Sequence, residues 1–463
     1  MNFQTYRYII LLPVIVLVMV SCKISKTYEQ PKVQNENLYR NVITDDSSSM
    51  ADLSWREVFT DTVLQNLIKE GISQNPDLQI AFTRIEQAQA YYLQSRAALL
   101  PSLDANANVT TSRLSEAQGF GIRTRATQYQ VGVSSIWEAD IWGKLRSSKN
   151  ANLASLLQSE AASRTVQTNL VSTIANFYFA LLALDQQLII TELTVMNWDT
   201  TVQTMRALKD AARVTEAAVV QSEAQRYAAE VTIPDIKQSI RETENALSIL
   251  LGRSPNVIRR GLISNQQTTG FLETGVPAML LANRPDVQQA ELNFRYAFEL
   301  TNVARTFFYP SLTISGSAGL SALSLSDLFD PSSIAANIGA GIVQPIFNRR
   351  ANKTRLIVAE AQQKEALINF QNSLLIAGQE VSDAISLYET ANEKALIRNS
   401  QLNSLQKSVE YSQELLRSGF ANYTEVINAR QFLLQAELGR VNDQLQQLQA
   451  TVNLYRSLGG GWK

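Results

Sequence analysis

Hydrophobic and polar residues follow two different periods along this chain, and both periods recur in the same order in each half. Helical spacing comes first, and a proline ends it in each half, over about 78–100 and 287–309. Strict alternation follows in four segments, at 102–112, 128–138, 311–321 and 336–343. Because successive side chains of a strand point to opposite faces, the pattern predicts one β-hairpin in each half, at about 102–138 and 311–345.

The predicted strands have one apolar face and one face of small polar residues. In the first strand the polar face holds Asp104, Asn106 and Asn108. Each strand has about ten residues, the length that crosses a bilayer at a tilt, so we expect these three side chains to line a water-filled barrel lumen. Four strands cannot close a barrel, since about eight are needed. The sheet therefore requires other copies of the chain, either two or three in all.

Long helical segments follow each hairpin. Residues 147–212 contain no Pro or Gly, and residues 353–417 contain one Gly. Each would be about 100 Å long as a helix. Turns near 214 and 419 lead to returning helices over about 216–250 and 423–457, and Pro234 predicts a kink in the first. Because these helices are polar on most sides, they fit a thin-walled assembly better than a globular core.

The chain contains an internal repeat. Asn75-Pro76-Asp77-Leu78-Gln79 corresponds to Arg284-Pro285-Asp286-Val287-Gln288, and Leu251-Gly252 corresponds to Leu458-Gly459. The sequence therefore predicts a first structural repeat over 55–252, a polar linker over 253–274 and a second repeat over 275–463.

The N-terminus has the features of a secretory signal. A run of thirteen mostly apolar residues follows Arg7 and is too short to span a bilayer as a helix. It ends in Met19-Val20-Ser21-Cys22, which resembles a bacterial lipobox. We expect a signal peptide over 1–21, lipidation at Cys22 and a polar tether over 22–54. Basic residues just after the hairpins are expected to anchor the chain at the periplasmic lipid headgroups, namely Lys144, Arg146, Lys149, Arg349, Arg350, Lys353 and Arg355.

Composition removes several classes of function. The chain has 463 residues, no histidine, one cysteine and a net charge of −1. Without histidine and with one cysteine, histidine-based catalysis and common transition-metal sites are excluded. The charge balance offers no basis for binding nucleic acid. We therefore expect no catalytic residue, no metal and no cofactor.

Motifs spread over the whole mature chain resemble the TolC-type outer membrane factors, and most closely the lipoprotein branch that serves RND multidrug efflux systems (NodT/OprM-like). The motifs are Trp55-Arg-Glu-Val-Phe59, Asn75-Pro-Asp-Leu78, Leu100-Pro101-Ser-Leu103, Trp137-Glu138-x-Asp140-Ile-Trp142-Gly143-Lys144, Ser418-Gly419-Phe-Ala-Asn422-Tyr423 and Val452-Asn-Leu-Tyr455-Arg-Ser-Leu458-Gly-Gly-Gly-Trp462.

This resemblance implies a mainly α-helical homotrimer in the outer membrane of a Gram-negative bacterium. Twelve strands would form one transmembrane β-barrel, and long helical hairpins would form an α-barrel through the periplasm. A periplasmic adaptor protein and an inner-membrane RND pump would be partners, and no bond would be broken in this chain. The entrance and adaptor-docking residues would be Ala212, Arg213, Val214, Thr215, Ser418, Gly419, Phe420, Asn422 and Tyr423.

The entrance gate departs from the family pattern. The position of a family aspartate is Asn428 here, and a neighbouring family arginine is Gln431. Glu425 and Arg430 are the charges available nearby. We therefore hypothesise that Glu425 forms the charged ring, with Asn428 and Arg430 as the other gate candidates.

Three other functions compete with the efflux duct for drugs or other small molecules. The same architecture could serve a type I protein secretion system. A soluble periplasmic coiled-coil scaffold would explain the helices but not the four alternating strands. A glycosidase acting through two carboxylates would need no histidine, but the pattern indicates no concave domain to hold such a pair.

Overall fold

The computed structural model describes residues 24–31, 38, 49–113, 125–266 and 280–463. The signal peptide and Cys22 lie outside the described residues, as do most of the tether and residues 267–274 of the predicted linker. The chain divides into two compact units, which are described separately. The first contains the described residues of Met1–Lys32, Arg84–Ser159 and Gln289–Phe370, and the second contains those of Val33–Thr83, Glu160–Gln288 and Gln371–Lys463.

Helices make up most of the described chain. In order they are α1 (Trp55–Val58), α2 (Thr62–Gln74), α3 (Pro76–Ala97), α4 (Lys144–Asp210), α5 (Glu216–Glu230), α6 (Thr232–Leu250), α7 (Leu280–Asn283), α8 (Pro285–Thr306), α9 (Ala351–Arg417) and α10 (Tyr423–Ser457). The strands are β1 (Asp104–Arg113), β2 (Arg125–Ala139), β3 (Ser311–Ala322) and β4 (Ile334–Val343). The four predicted strands and both long helices are therefore confirmed, and α4 and α9 have 67 residues each.

The helices before the strands begin and end two to three residues earlier than their periodicity predicts. Pro76 and Pro285 are the first residues of α3 and α8. Proline suits this position because its missing N–H would have no helical partner and its φ is already helical. At the other end, Ala98 N still donates to Gln94 O at 2.9 Å, and the chain then tightens into a turn before Pro101.

The strands of the first unit form one antiparallel sheet in the order β1-β2-β3-β4. Strands β1 and β4 are therefore its two edges. The register places the apolar residues predicted for different strands on one shared face. One row across this face contains Ala107, Val131, Leu320 and Ile334.

Aromatic side chains fasten the helix-proximal end of the sheet. Trp142 Nε1 donates to the carbonyl oxygen of Pro310 at 2.7 Å, and its ring lies 5.2 Å from that of Tyr309. Trp137 Nε1 donates to Leu99 O at 3.0 Å. These bonds join β2 and the turn after it to the segments that precede β1 and β3.

The second unit contains the same joint twice, once from each repeat. Gly252 and Gly459 both have positive φ, at 69° and 97°. A Cβ at Gly252 would lie 2.3 Å from Gln74 O, and a Cβ at Gly459 would lie 2.4 Å from Asn283 O. Each glycine ends a returning helix and lets it close against the residue before the repeat's N-P-D or R-P-D motif.

Where Pro234 predicts a kink, the structure has a break in the returning helix. Helix α5 ends at Glu230 and α6 begins at Thr232, so the break lies at Val231, three residues before the proline. A proline ring clashes with the carbonyl group four residues earlier, and for Pro234 that residue is Glu230.

Candidate functional site

The polar face of the sheet collects the residues predicted for a lumen. Asp104, Asn106 and Asn108 share one face of β1 and pair in register with Ser134, Gly132 and Gln130. The first of these rows continues through Ser317 to Asn337 on β4. Asn106 Nδ2 donates to Ser134 Oγ at 3.3 Å, so part of the surface is cross-linked by hydrogen bonds between strands.

Two glycines form the middle of this face. Gly132 of β2 and Gly319 of β3 are directly paired. A Cβ at Gly132 would lie 2.7 Å from Ala318 O, and one at Gly319 would lie 2.3 Å from Val131 O. The two strands thus approach too closely for any side chain at these positions. The backbone is exposed there, with amide and hydroxyl side chains around it. Such a face can hydrogen-bond to water and presents few charges.

Some basic residues that follow the first hairpin are already bound within the first unit. Lys144 Nζ pairs with Glu138 at 2.9 Å, and Arg146 Nε pairs with Asp140 at 3.0 Å. Asp140 also accepts from the backbone N–H of Leu145 at 2.9 Å, which satisfies a donor in the first turn of α4. Lys144 and Arg146, which the sequence predicts to contact lipid, therefore have carboxylate partners within the chain, Glu138 and Asp140.

The first predicted entrance segment, residues 212–215, is the turn between α4 and α5. Ala212 adopts a φ of 59°, in the left-handed region. Its N–H donates to Lys209 O, and the next N–H donates to Leu208 O, both at 2.8 Å, which is a Schellman closure of α4. Val214 packs on a small core of Met205, Ala218 and Val219, and Thr215 occupies the N-cap of α5.

Ion pairs join the two helices of this first hairpin below its turn. Three pairs link α4 to α5, namely Arg206–Glu223, Lys209–Glu216 and Asp199–Arg226. Because one side chain of each pair is more than half exposed, each pair contributes little by itself. Together they match the charges of the two helices along the hairpin.

The second predicted entrance segment is the turn between α9 and α10. Gly419 has a φ of 79°, and Phe420 N donates to Leu415 O at 2.8 Å, which repeats the Schellman closure seen at Ala212. Asn422 Oδ1 accepts from Thr424 N and caps α10. Phe420 is 84% exposed. Tyr423 packs against two apolar clusters formed mainly by the first hairpin, one of which contains Val214, so the structure brings the two predicted entrance segments together.

The three gate candidates differ in their surroundings. Glu425 and Asn428 lie one turn apart on α10, and both are exposed. Arg430 is half-buried instead. Its Nη1 donates to Asn197 O at 3.3 Å, and its Nε donates to the side-chain amide oxygen of Gln413 at 3.1 Å. Burial lowers the pKa of Arg430. Arg430 therefore joins α10 to α4 and α9, whereas Glu425 and Asn428 share an open face.

The second unit contains a buried arginine network that the sequence analysis does not predict. Arg284 donates to Ser457 O at 2.9 Å and pairs with Asp286 and Glu380. Burial alone would lower the pKa of Arg284, but the carboxylate of Asp286 outweighs it and raises that pKa. The sequence signal was present, since Arg284 occupies the repeat position of Asn75, whose Nδ2 likewise donates to Leu250 O at 3.0 Å.

A second hydrogen-bond network contains Gln266 of the predicted linker, which the structure describes as far as that residue. Tyr178 Oη donates to Asp61 at 2.6 Å, and Gln266 Nε2 donates to the same carboxylate at 2.7 Å. Burial raises the pKa of Asp61, but these hydrogen bonds outweigh it and leave the pKa below its usual value. Among the described residues, no group of histidine, cysteine, aspartate and glutamate could hold a metal ion.

Comparisons with known proteins agree on one class. The family model described as "Outer membrane efflux protein" matches residues 67–253 and 276–460. The chain is 27% identical to the cation efflux system protein CusC of Escherichia coli O6:H1, over 97% of this chain and 98% of that protein. It is 29% identical to the solvent efflux pump outer membrane protein SrpC of Pseudomonas putida, with the same coverage.

A solved structure supports the same class. The open-state outer membrane channel MtrE of Neisseria gonorrhoeae is 26% identical and has a TM-score of 0.86, over 96% of this chain and 99% of that one. This likeness confirms the predicted fold class, a mainly helical chain with four β-strands.

Proposed function

Since the chain belongs to the outer membrane efflux protein family, we propose that three copies of it form the exit duct of a tripartite export system of the RND type. The chain itself is an outer membrane efflux channel protein. In the proposed system an inner-membrane pump supplies the energy, an adaptor joins the pump to the duct, and the duct breaks no bond.

The observation that carries this proposal is the four-stranded sheet with one polar face, one apolar face and two free edges. Apolar residues form complete rows on one side, whereas Asp104, Asn106 and Asn108 lie on the other. A free strand edge in lipid leaves N–H and C=O groups without hydrogen-bond partners. Each such group destabilises the structure by several kcal/mol. Pairing β4 of one copy with β1 of the next removes every edge, and three copies give twelve strands.

The mass of the detergent-extracted particle tests this assembly. Outer membranes are solubilised, and light scattering with refractive index subtracts the detergent from the total mass. We expect three times the mass of the mature chain. A monomer, or protein recovered only in the soluble fraction, would contradict the closed barrel and favour a periplasmic scaffold.

The joined turns at 212–215 and 418–423 are the proposed adaptor-docking end. Exposed Phe420 and the polar groups around it offer an apolar contact with a hydrophilic rim, which suits a helical partner. The relatives' names mention cations and solvents as exported species. For this chain we propose small molecules, since the polar face of the sheet carries few charges that would select among them.

Glu425 is the proposed gate charge. It lies on the open face of α10 with Asn428, and in a trimer three copies would form a ring of carboxylates at the entrance. We expect Glu425→Lys to reverse the cation preference of the channel in planar bilayers, because the local potential changes sign. The matched control is Glu414→Lys, which alters an exposed charge before the turn. Unchanged selectivity in Glu425→Lys would remove Glu425 from the gate.

A further inference from the structure

One contact joins the first repeat to the second at the helix-proximal end of the sheet. Trp142 follows β2, and its Nε1 donates to Pro310 O at 2.7 Å. Its ring also lies 5.2 Å from the ring of Tyr309. Pro310 directly precedes β3, the strand that pairs with β2. This contact, which we call the repeat joint, therefore fastens two paired strands that belong to different repeats.

Both sides of the repeat joint have a counterpart in the other repeat. Ile141-Trp142 corresponds to Ile346-Phe347, which follows β4. Tyr309-Pro310 corresponds to Leu100-Pro101, which precedes β1. The segments of a second joint are therefore present in the chain, one at each edge of the sheet.

The structure supports this correspondence within each hairpin. Trp137 Nε1, near the end of β2, donates to Leu99 O at 3.0 Å. Gln344 Nε2, just after β4, donates to Phe308 O at 3.2 Å. Leu99 and Phe308 occupy the same position, two residues before the proline of their repeat. Each hairpin is thus fastened at equivalent acceptors, so the segments that flank the two hairpins are built alike.

The second joint cannot form within one chain. Its two sides adjoin β1 and β4, which are opposite edges of the sheet and lie three strand spacings, or about 14 Å, apart. Ile346 and Phe347 are 98% and 86% exposed, and Leu100 is 68% exposed. Ile141 and Trp142, in contrast, are half-buried. The same positions are thus covered where another repeat follows in the chain and exposed where none follows.

We propose that Ile346-Phe347 of one copy packs against Leu100-Pro101 of the next copy, and so forms between chains the counterpart of the repeat joint. The inference rests on the proposed trimer, in which β4 of one copy pairs with β1 of the next. Since one segment follows β4 and the other precedes β1, antiparallel pairing of these edges brings both segments to the same end of the barrel wall.

The joint between copies differs chemically from the joint within a chain. Phenylalanine has no N–H group, so Phe347 cannot make the hydrogen bond that Trp142 makes to Pro310. Leu100 likewise replaces the aromatic ring of Tyr309. The contact between copies is therefore apolar, and a tryptophan at position 347 could add the missing hydrogen bond.

Photochemical cross-linking tests which surface covers Phe347. The residue is replaced by p-benzoylphenylalanine in the full chain, outer membranes are irradiated, and the products are mapped by mass spectrometry. We expect pairs of chains in which position 347 is joined to the segment 99–103. The control is the same replacement at Phe329, which follows β3 at the other end of the sheet and should give no product with that segment.

A double-mutant cycle tests whether the two sides act together. The measured quantity is the temperature at which the detergent-extracted trimer dissociates. We expect Leu100→Ala and Phe347→Ala each to lower it by several degrees, and the double variant to lower it no further than the more severe single one, because both remove the same contact. Leu100→Ala combined with Phe329→Ala is the control, and there the effects should add. Phe347→Trp should raise the temperature.

The outcomes separate this joint from the proposed function. In a trimeric particle, cross-linking of position 347 to lipid or to a different segment would overturn the joint and leave the export duct standing. Additive losses in Leu100→Ala and Phe347→Ala would do the same, and a lower dissociation temperature in Phe347→Trp would contradict the equivalence with Trp142. A monomeric particle would overturn both proposals.

Discussion

Left-handed backbone positions show at the level of single residues how the two repeats diverged. Ala212 and Gly419 are equivalent in the repeat, and both end a long helix with positive φ. Glycine adopts this conformation freely, whereas a Cβ costs about 1 kcal/mol. The first hairpin therefore carries a strain that the second avoids.

Reciprocal substitutions at these two positions should change stability in opposite directions. We expect Ala212→Gly to raise the free energy of unfolding by about 1 kcal/mol, and Gly419→Ala to lower it by a similar amount. In the part of the chain that the structure describes, no heavy atom beyond the two neighbouring residues lies within 4 Å of a Cβ built at Gly419, so only backbone strain changes there. Urea unfolding of the detergent-solubilised protein measures both. Shifts of the same sign would show that φ does not govern these turns.

Gly459→Ala provides the contrast to these two substitutions. It adds the same backbone strain, and its Cβ would also lie 2.4 Å from the backbone oxygen of Asn283. Because a backbone atom cannot move aside as a flexible side chain can, we expect a loss of about 3 kcal/mol or more in the same unfolding measurement. A cost equal to that of Gly419→Ala would mean that the C-terminal segment is not closed against Asn283.

At the level of elements, one buried ion pair fastens the second helical hairpin. Arg398 of α9 donates to Asp443 of α10 at 2.7 Å, and the side chain of Asp443 is 7% exposed. Gly439 makes room for it, since a Cβ there would lie 2.9 Å from Arg398 Cζ. The first hairpin instead uses exposed pairs close to its turn, so the two hairpins are joined by different means.

Removing the buried carboxylate should weaken the second hairpin. We expect Asp443→Ala to lower the free energy of unfolding by about 2 to 3 kcal/mol, because it leaves a partly buried guanidinium without its counter-charge. Asp383→Ala is the matched control, since Asp383 is exposed on α9 and should change stability by less than about 0.5 kcal/mol. Equal effects of the two variants in urea unfolding would argue against a structural role for the pair.

Periodicity predicted the elements well because each one has a regular pattern over ten residues or more. The alternation of β1 to β4 identified both faces of the sheet, and the register then aligned them. Contacts between distant residues were not accessible in this way. The bonds from Arg284 to Ser457 and from Tyr178 to Asp61 join residues more than a hundred positions apart. No local pattern marks them, and the one sequence signal for Arg284 is its match to Asn75 in the repeat. Arg430 stays a predicted gate residue, but its position on the helix alone does not reveal its hydrogen bond to Asn197.

At the scale of the whole molecule, the repeat explains why one chain supplies two hairpins of strands and two of helices. The glycine joints at 252 and 459 close the two halves in the same way, although the residues they meet differ. In the proposed trimer, this duplication lets three chains supply a closed wall that would need six chains with one unit each. The same duplication also lets the two repeats differ. The second has the buried ion pair at Asp443, and the first has the strained turn at Ala212.

Lipidation of Cys22 stays a prediction that concerns the molecule as a whole, and it rests on the sequence Met19-Val20-Ser21-Cys22. If Cys22 is lipidated, mass spectrometry of the mature protein should find the chain beginning at Cys22 with acyl chains attached. In Cys22→Ser we expect the acyl chains to be absent. Protein that still inserts should remain in the membrane, because a closed barrel stays embedded without an attached lipid. Ser21→Ala, which keeps a small residue before the cysteine, is the control and should be processed normally. An unmodified Cys22, or a mature chain that begins elsewhere, would show that the barrel alone anchors the protein.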